Sequence, residues 1–195
     1  MKNVITVLFL LISIIASAQE DTDDQPVNLN QINNKKHEFR IDVLESLLVP
    51  AIDISYEYVL SKYSGIGASV NFDFDDDDFD FDQKFAFTAY YRQYFFNKKD
   101  YGARGFFAEG LLQYANGNNN DISFITDDQG FITETIQSNG TWNKFGVGAA
   151  IGQKWVSKNG FVLELSLGGG RYLGDDDNDS PEGFFRGGVS FGYRF

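Results

Sequence analysis

The sequence predicts an all-β fold, an eight-stranded antiparallel up-and-down β-barrel that crosses a membrane, and three observations carry that expectation. The first is the closing segment Gly183–Phe195. Reading back from the end, Phe195, Tyr193, Phe191, Val189 and Phe185 are apolar at every second position, with Gly187 interrupting, while Arg194, Gly192, Ser190, Gly188 and Arg186 occupy the alternate set. Side chains of a strand alternate between faces, so this segment has one greasy face and one small or charged face. The second is that seven further segments alternate in the same way. The third is that no apolar run of about 20 residues follows the first fifteen positions. A transmembrane helix is therefore not predicted, and a closed barrel is the remaining way to satisfy every backbone group in a bilayer.

The elements follow in chain order. Met1-Lys2-Asn3 is a short basic start, Val4–Ile15 an almost unbroken apolar run, and Ala16-Ser17-Ala18 precedes Gln19. This pattern reads as a secretory signal peptide over 1–18, cut after an A-x-A site. The chain has no cysteine, so neither a lipidated cysteine nor a disulfide is available. Residues 19–36 (QEDTDDQPVNLNQINNKK) are polar, poor in aromatics and without period, and read as a disordered periplasmic lead-in. The barrel is expected over 37–195, with strands near 38–48, 52–61, 65–74, 84–96, 105–116, 141–155, 160–172 and 183–195. In the first, Phe39, Ile41 and Val43 alternate with Arg40 and Asp42. Glu45 then falls on the apolar side, so a bulge is expected near Leu44. In the second, Ile52, Ile54, Tyr56, Tyr58 and Leu60 oppose Asp53, Ser55 and Glu57. In the third, Ile66, Ala68, Val70, Phe72 and Phe74 oppose Gly67, Ser69, Asn71 and Asp73. The sixth sets Phe145, Val147, Ala149, Ile151 and Trp155 against Gly146, Gly148, Ala150, Gly152 and Lys154. The seventh sets Phe161, Leu163, Leu165 and Leu167 against Val162, Glu164, Ser166, Gly168 and Gly170.

Alternation alone does not say which face is inside. A soluble lipocalin-like carrier would turn the apolar set inward. Two features favour the reverse. Glycine is concentrated on the polar face, which suits the crowded lumen of a narrow barrel and would only weaken a solvated strand. The connections are also sorted by length and charge. Ser61–Ser64, Asn97–Arg104 and Val156–Asn159 are short and basic, whereas Asp75–Gln83, Gly117–Gly140 and Gly174–Glu182 are long and, taken together, acidic. The Val49-Pro50-Ala51 turn alone departs from that sorting. Short turns on one rim and long loops on the other are the pattern of outer-membrane barrels, with both termini on the periplasmic side.

A chain closing on an aromatic strand, with a second strand Pro50-Ala51-Ile52-Asp53-Ile54-Ser55-Tyr56-Glu57-Tyr58, resembles the small bacterial outer-membrane barrels. These are OmpA-like or OmpX-like in their transmembrane part, and the second-strand motif is similar to one in an uncharacterised subfamily. The likeness runs from about His37 to the end. It implies a fold and a location in the outer membrane, not an activity. It also implies that Phe191, Tyr193 and Phe195 form the assembly signal read by the barrel-assembly machinery. The extra peptidoglycan-binding domain of OmpA has no counterpart here, so that tethering role is not implied.

Charged residues recur on the inward face: Arg40, Asp42, Asp53, Glu57, Arg92, Glu109, Lys154, Glu164, Arg186 and Arg194. Eight strands enclose a space about wide enough for side chains, and an unpaired buried ion costs several kcal/mol. An ion path and a salt-bridge plug are the alternatives, and the plug is the simpler. Asp73, Asp75–Asp78, Asp80 and Asp82, and again Asp175–Asp177, Asp179 and Glu182, crowd two loops with carboxylates. Such oxygens can bind calcium, yet neither run has the glycine and closing glutamate of an EF-hand, and a solvated acidic rim explains them as well. His37 is the only histidine and lies at the periplasmic start, so Ser-His and Cys-His machinery has no partners. No catalytic, cofactor or metal residue is predicted. Tyr56, Tyr58, Tyr91, Phe95, Trp155, Phe161, Tyr193 and Phe195 near one rim, and Trp142 near the other, read as interfacial girdles. Ile122–Thr126 and Phe131–Thr135 are expected to extend the fifth and sixth strands as a hairpin around Asp127-Asp128-Gln129-Gly130, whose edges could meet a partner.

With 16 basic and 28 acidic residues and a net charge of −12, nucleic acid is not an expected partner. The expected partners are outer-membrane lipid and lipopolysaccharide, the assembly machinery, and an extracellular partner met by the loops. A non-enzymatic barrel with acidic extracellular loops and a structural or surface-interaction role is the leading reading. A small-solute, porin-like channel and a secreted lipocalin-like carrier are its alternatives.

Overall fold

The computed structural model describes residues 35–43, 51–74, 81–95, 102–126, 132–174 and 181–195. The signal peptide, most of the lead-in, the expected bulge at Leu44 and most of the aspartate-rich loop residues lie outside them. Eight strands form one closed antiparallel barrel in sequence order: β1 (His37–Asp42), β2 (Ala51–Val59), β3 (Ser64–Asp73), β4 (Phe81–Phe95), β5 (Gly105–Thr126), β6 (Ile132–Val156), β7 (Phe161–Leu173) and β8 (Gly183–Arg194). The seam closes by pairing β1 with β8, Glu38 opposite Arg194 and Ile41 opposite Phe191. Two further bonds extend that ladder, from His37 N to Phe195 O (3.1 Å) and from Phe195 N to His37 O (2.8 Å). Closure leaves no edge along the membrane-crossing part, which is what a bilayer demands of a sheet.

The apolar set of each strand faces out. Phe161 is 66% exposed, Leu167 61% and Phe185 71%, while Glu38, Glu57 and Lys154 on the alternate face are fully buried. Surface so apolar is stable against lipid and not against water. The lipocalin-like alternative, with its apolar face inward, is thereby corrected.

Inward glycines are matched to bulky side chains from other strands. A Cβ at Gly152 would strike the Phe107 ring, one at Gly67 the Tyr90 ring, one at Gly146 the Phe184 ring, and one at Gly192 the Arg40 stem. At these positions bare backbone therefore makes room for large side chains from other strands. At the short-turn end, Gly160 N bonds Ser157 O (3.1 Å), and Gly160 itself has φ +104°. That is the left-handed conformation that lets a tight hairpin return without a Cβ clash.

β5 and β6 exceed the expected bounds, pairing from Gly105 opposite Lys154 up to Thr126 opposite Ile132, with a register shift between Ile125 and Thr126. A membrane strand needs ~9–11 residues, whereas these have 22 and 25. The surplus stands beyond the barrel as the expected hairpin. Its ladder also takes in residues 117–120 and 136–140, which read as loop in the sequence. In β4, Gln83 lies opposite Gly117 and Phe85 opposite Asn116, so the extra residue Lys84 makes a bulge where β4 leaves the barrel.

Candidate functional site

The lumen is the one place where chemistry-bearing side chains converge among the described residues. The strand period puts Glu38 and Arg40 (β1), Glu57 (β2), Arg92 (β4), Glu109 (β5), Lys154 (β6), Glu164 (β7), and Arg186 and Arg194 (β8) on the inward face. Glu57 is one hub. One of its oxygens accepts from Arg40 Nη1 (3.0 Å), Arg92 Nη1 (3.0 Å) and Lys154 Nζ (2.8 Å), and the other from the Tyr94 hydroxyl (2.7 Å). Arg92 is the second hub. It grips Glu164 through Nη1 (2.6 Å) and Nη2 (2.9 Å) and bonds Glu109 through Nε. Its guanidinium lies 4.6 Å from the Tyr90 ring centre and 4.3 Å from that of Phe107. Two aromatic faces around a planar cation add attraction in a desolvated site.

Glu38 is the third hub, a functional residue missing from the sequence-based set. It binds Arg40, Lys154 Nζ (2.9 Å), and Arg194 through Nε (2.9 Å) and Nη2 (2.7 Å). The signal was present, since Glu38 shares the parity of Arg40 and Asp42. Arg194 also donates to the carbonyls of Gly102 (2.7 Å) and Ala103 (2.8 Å). That holds Gly102 and Ala103 at the lower end of the lumen, where Ala103 packs with Val59, Tyr94 and Phe107. The predicted members Glu57, Arg92, Glu109, Lys154, Glu164 and Arg194 thus form one continuous network with Glu38 and Arg40. Arg186 joins at its upper side, bonding Glu109 (3.0 Å) and Ser69 (2.9 Å) and lying 3.8 Å from Asp53. Asp42 sits apart from the hubs, 3.3 Å from the Ser190 hydroxyl.

The carboxylates of Glu38, Glu57 and Glu164 lie close enough together to hold a metal ion, but the Lys154 ammonium stands among them. The cluster is therefore already neutralised by a side chain. Above the network is a polar cavity of about 70 Å³, lined by Asp42, Asp53, Asn71, Thr88, Gln113 and Arg186 among others. At roughly 15 Å³ per water it has room for about five. Gln113 Nε2 donates to Tyr172 Oη (3.0 Å), which donates to Gln83 Oε1 (3.1 Å). Beside that chain, Tyr172, Trp142, Ala86 and Ala115 pack together with Phe184 against them. Trp142 is thus a correction to the girdle reading. It is 6% exposed, points inward against Tyr172 (5.7 Å between ring centres), and its Nε1 has no acceptor among the described residues. At the opposite rim, Tyr91, Phe95, Trp155, Phe161, Tyr193 and Phe195 of the expected girdle are exposed on the outer face, while Tyr56 and Tyr58 are half-buried. Of the residues expected to form an assembly signal, Phe195 stacks on His37 (5.8 Å) and Phe39 (6.0 Å), and Tyr193 meets Phe161 edge-on.

No family model matches the sequence, and no curated protein matches it. Among solved structures, the N-terminal β-barrel domain of Pseudomonas aeruginosa OprF is similar in fold, with a TM-score of 0.51 at 16% identity over 84% of this chain and 98% of that one. An identity that low reports architecture alone. The chain has the fold of an eight-stranded outer-membrane-type barrel.

Proposed function

We propose that the chain is a non-enzymatic barrel of the bacterial outer membrane that acts as a rigid envelope element and holds the β5–β6 hairpin outside the cell to meet a partner. The observation that carries this reading is the continuous lumen network, which joins side chains from β1, β2 and β4 to β8 and fills the lower lumen. It supports a stable platform better than a conduit. The hairpin supplies the surface. Pairing with β4 ends at Phe81 opposite Asn119, and pairing with β7 starts at Phe145 opposite Leu173. Among the described residues, the outer edges of 120–126 and 132–143 have no ladder partner, and an extended segment can add to them as a further strand. Protease treatment of intact cells tests the reading: cleavage between 120 and 140 is expected, with the barrel left as a protected core. A hairpin protected in intact cells and cut only after outer-membrane rupture would reverse the orientation and remove the proposed role.

The channel is the second reading, favoured by the polar cavity in the upper lumen. It requires the network to part. In planar bilayers the protein is expected to give no conductance or small intermittent events, because open porins use about 16–18 strands. Steady, large conductance proportional to the protein added would put the channel first.

A further inference from the structure

The short-turn end carries a continuous arc of cations with a second, independent feature beside it. Lys62 lies in the β2–β3 turn, Arg104 ahead of β5, Lys158 in the β6–β7 turn and Lys35 ahead of β1. Backbone and side-chain contacts chain these segments together around the rim. Ala103 N bonds Lys62 O (3.0 Å), Arg104 Nη1 bonds Val156 O (3.3 Å), and Lys35 Nζ bonds Asn159 O (3.2 Å). Among the described residues no aspartate or glutamate side chain faces solvent at this rim, since Glu38 is buried in the lumen. The arc also lies at a defined depth. Lys35 Nζ sits 5.1 Å from the Tyr193 ring centre and Lys62 Nζ 5.7 Å from that of Tyr63. Both rings face outward, 43% and 48% exposed, in the belt with Trp155, Phe161 and Phe195.

Interfacial aromatics mark the headgroup level of a bilayer, so cations held over them are placed against lipid phosphate rather than in open solvent below the barrel. We propose that this arc is a binding surface for anionic phospholipid headgroups of the leaflet it faces, so that the barrel gathers an acidic lipid shell at its short-turn end. Peptidoglycan, also anionic, would approach along the barrel axis, where the exposed tyrosine rings give it nothing to pack on. A basic residue near an anionic surface raises local lipid occupancy by up to about fivefold, and salt screens the effect.

Trp155, exposed on the outer face one residue before β6 ends, is a reporter placed beside the arc. In a Trp142→Phe background, the refolded protein is placed in phosphatidylcholine bilayers containing a minor fraction of phosphatidylglycerol, with bromine on the acyl chains of one lipid or the other. Quenching by brominated phosphatidylcholine alone reports that the barrel is embedded, which separates failure of the lipid preference from failure of the membrane reading. The expected result is that brominated phosphatidylglycerol quenches more than its mole fraction predicts, and that the excess falls at high salt. Lys35→Gln with Lys158→Gln, and separately Lys62→Gln with Arg104→Gln, should each cut the excess several-fold, by up to about 25-fold where both residues contribute fully. Lys144→Gln with Arg171→Gln, at the other end, should leave it unchanged. Heat-modifiable gel mobility shows which variants fold, and the wild-type measurement stands without any variant. No excess in the wild type, or equal loss in the far-end variant, overturns the proposal. So does absence of an excess alongside charge-dependent sedimentation with purified peptidoglycan sacculi, which would assign the arc to the wall polymer.

Discussion

Replacing Arg92 by leucine is the severest single test of the lumen network, and the loss can be worked out carboxylate by carboxylate. Glu57 would keep Arg40 (3.0 Å), Lys154 (2.8 Å) and the Tyr94 hydroxyl (2.7 Å). Glu109 would keep Arg186 (3.0 Å). Glu164, 2% exposed, would lose both short contacts and keep only Arg40 at 3.6 Å and Lys154 at 3.8 Å. One stranded buried carboxylate typically costs ~3–5 kcal/mol, and that is the expected destabilisation of Arg92→Leu. Arg186→Leu is expected to cost less, about 1–2 kcal/mol. The Arg186 side chain is 16% exposed, its partner Glu109 retains Arg92, and its distant partner Asp53 is itself within reach of water.

Urea unfolding in lipid vesicles, followed by tryptophan fluorescence and checked by heat-modifiable mobility, measures both. The double variant Arg92→Leu with Glu164→Leu should recover part of the single loss, since no buried charge is then left without a strong partner. A coupling near the top of the usual ~0.5–3 kcal/mol range is expected. Equal midpoints for Arg92→Leu and Arg186→Leu, or a double variant no more stable than Arg92→Leu alone, would refute the reasoning. Water would then be solvating Glu164 and the lumen would not be sealed.

Three further outcomes are expected. Mass spectrometry of the exported protein should find Gln19 at its N-terminus, and a retained Met1 would defeat the signal-peptide reading. Deleting Phe195 removes the His37–Phe195 backbone pair and the ring between His37 and Phe39; the folded, heat-modifiable yield should fall well below that of a loop-residue deletion, and wild-type yield would separate this residue from assembly. Brominated phosphatidylcholine should quench Trp155 in a Trp142→Phe protein and spare Trp142 in a Trp155→Phe protein, because the two rings face opposite sides of the same strand. Equal quenching would put Trp142 back in the girdle.

How far the sequence could be read depends on which quantity has a period. Strand number, the outward apolar face and the inward charged face all follow from a repeat of two, so Lys154, Glu164, Arg186 and Arg194 could be placed inside before any contact was known. Glu38 and Trp142 obey the same rule. Glu38 has the parity of Arg40 and is second in β1; Trp142 has that of Gly146 and Lys154 and lies beside the expected start of the sixth strand at 141, ten residues inside the β6 that forms. The length of β5 and β6 was partly hidden for another reason. Asn-rich stretches such as Gly117–Asn120 have poor strand propensity, and here the partner strand overrides it. Pairing across the lumen had no sequence signal. Arg92 meets Glu164 from 72 positions away, a match fixed by strand tilt and stagger and by how far each side chain reaches past the glycines opposite.

The distribution of these features explains why an interior of ions suits this chain. A soluble domain gains its stability by moving apolar surface out of water and into its core. Here the apolar surface faces lipid, and the lumen is too narrow for a large apolar core. Among the described residues, the buried apolar clusters are small groups at the two ends, around Phe107 and Ala103 below and Trp142 and Tyr172 above. Between them the network joins seven strands directly, and Arg186 reaches the eighth through Ser69 on β3. Charges that satisfy one another at only one stagger disfavour every other alignment of the strands. A one-residue slip would turn Glu57, Arg92 and Lys154 towards hydrocarbon, where a charge costs about 2–4 kcal/mol at the bilayer midplane for a cation and somewhat less for a carboxylate. The network therefore specifies register, which accounts for a barrel interior built on ion pairs, with a polar cavity of about 70 Å³ above them.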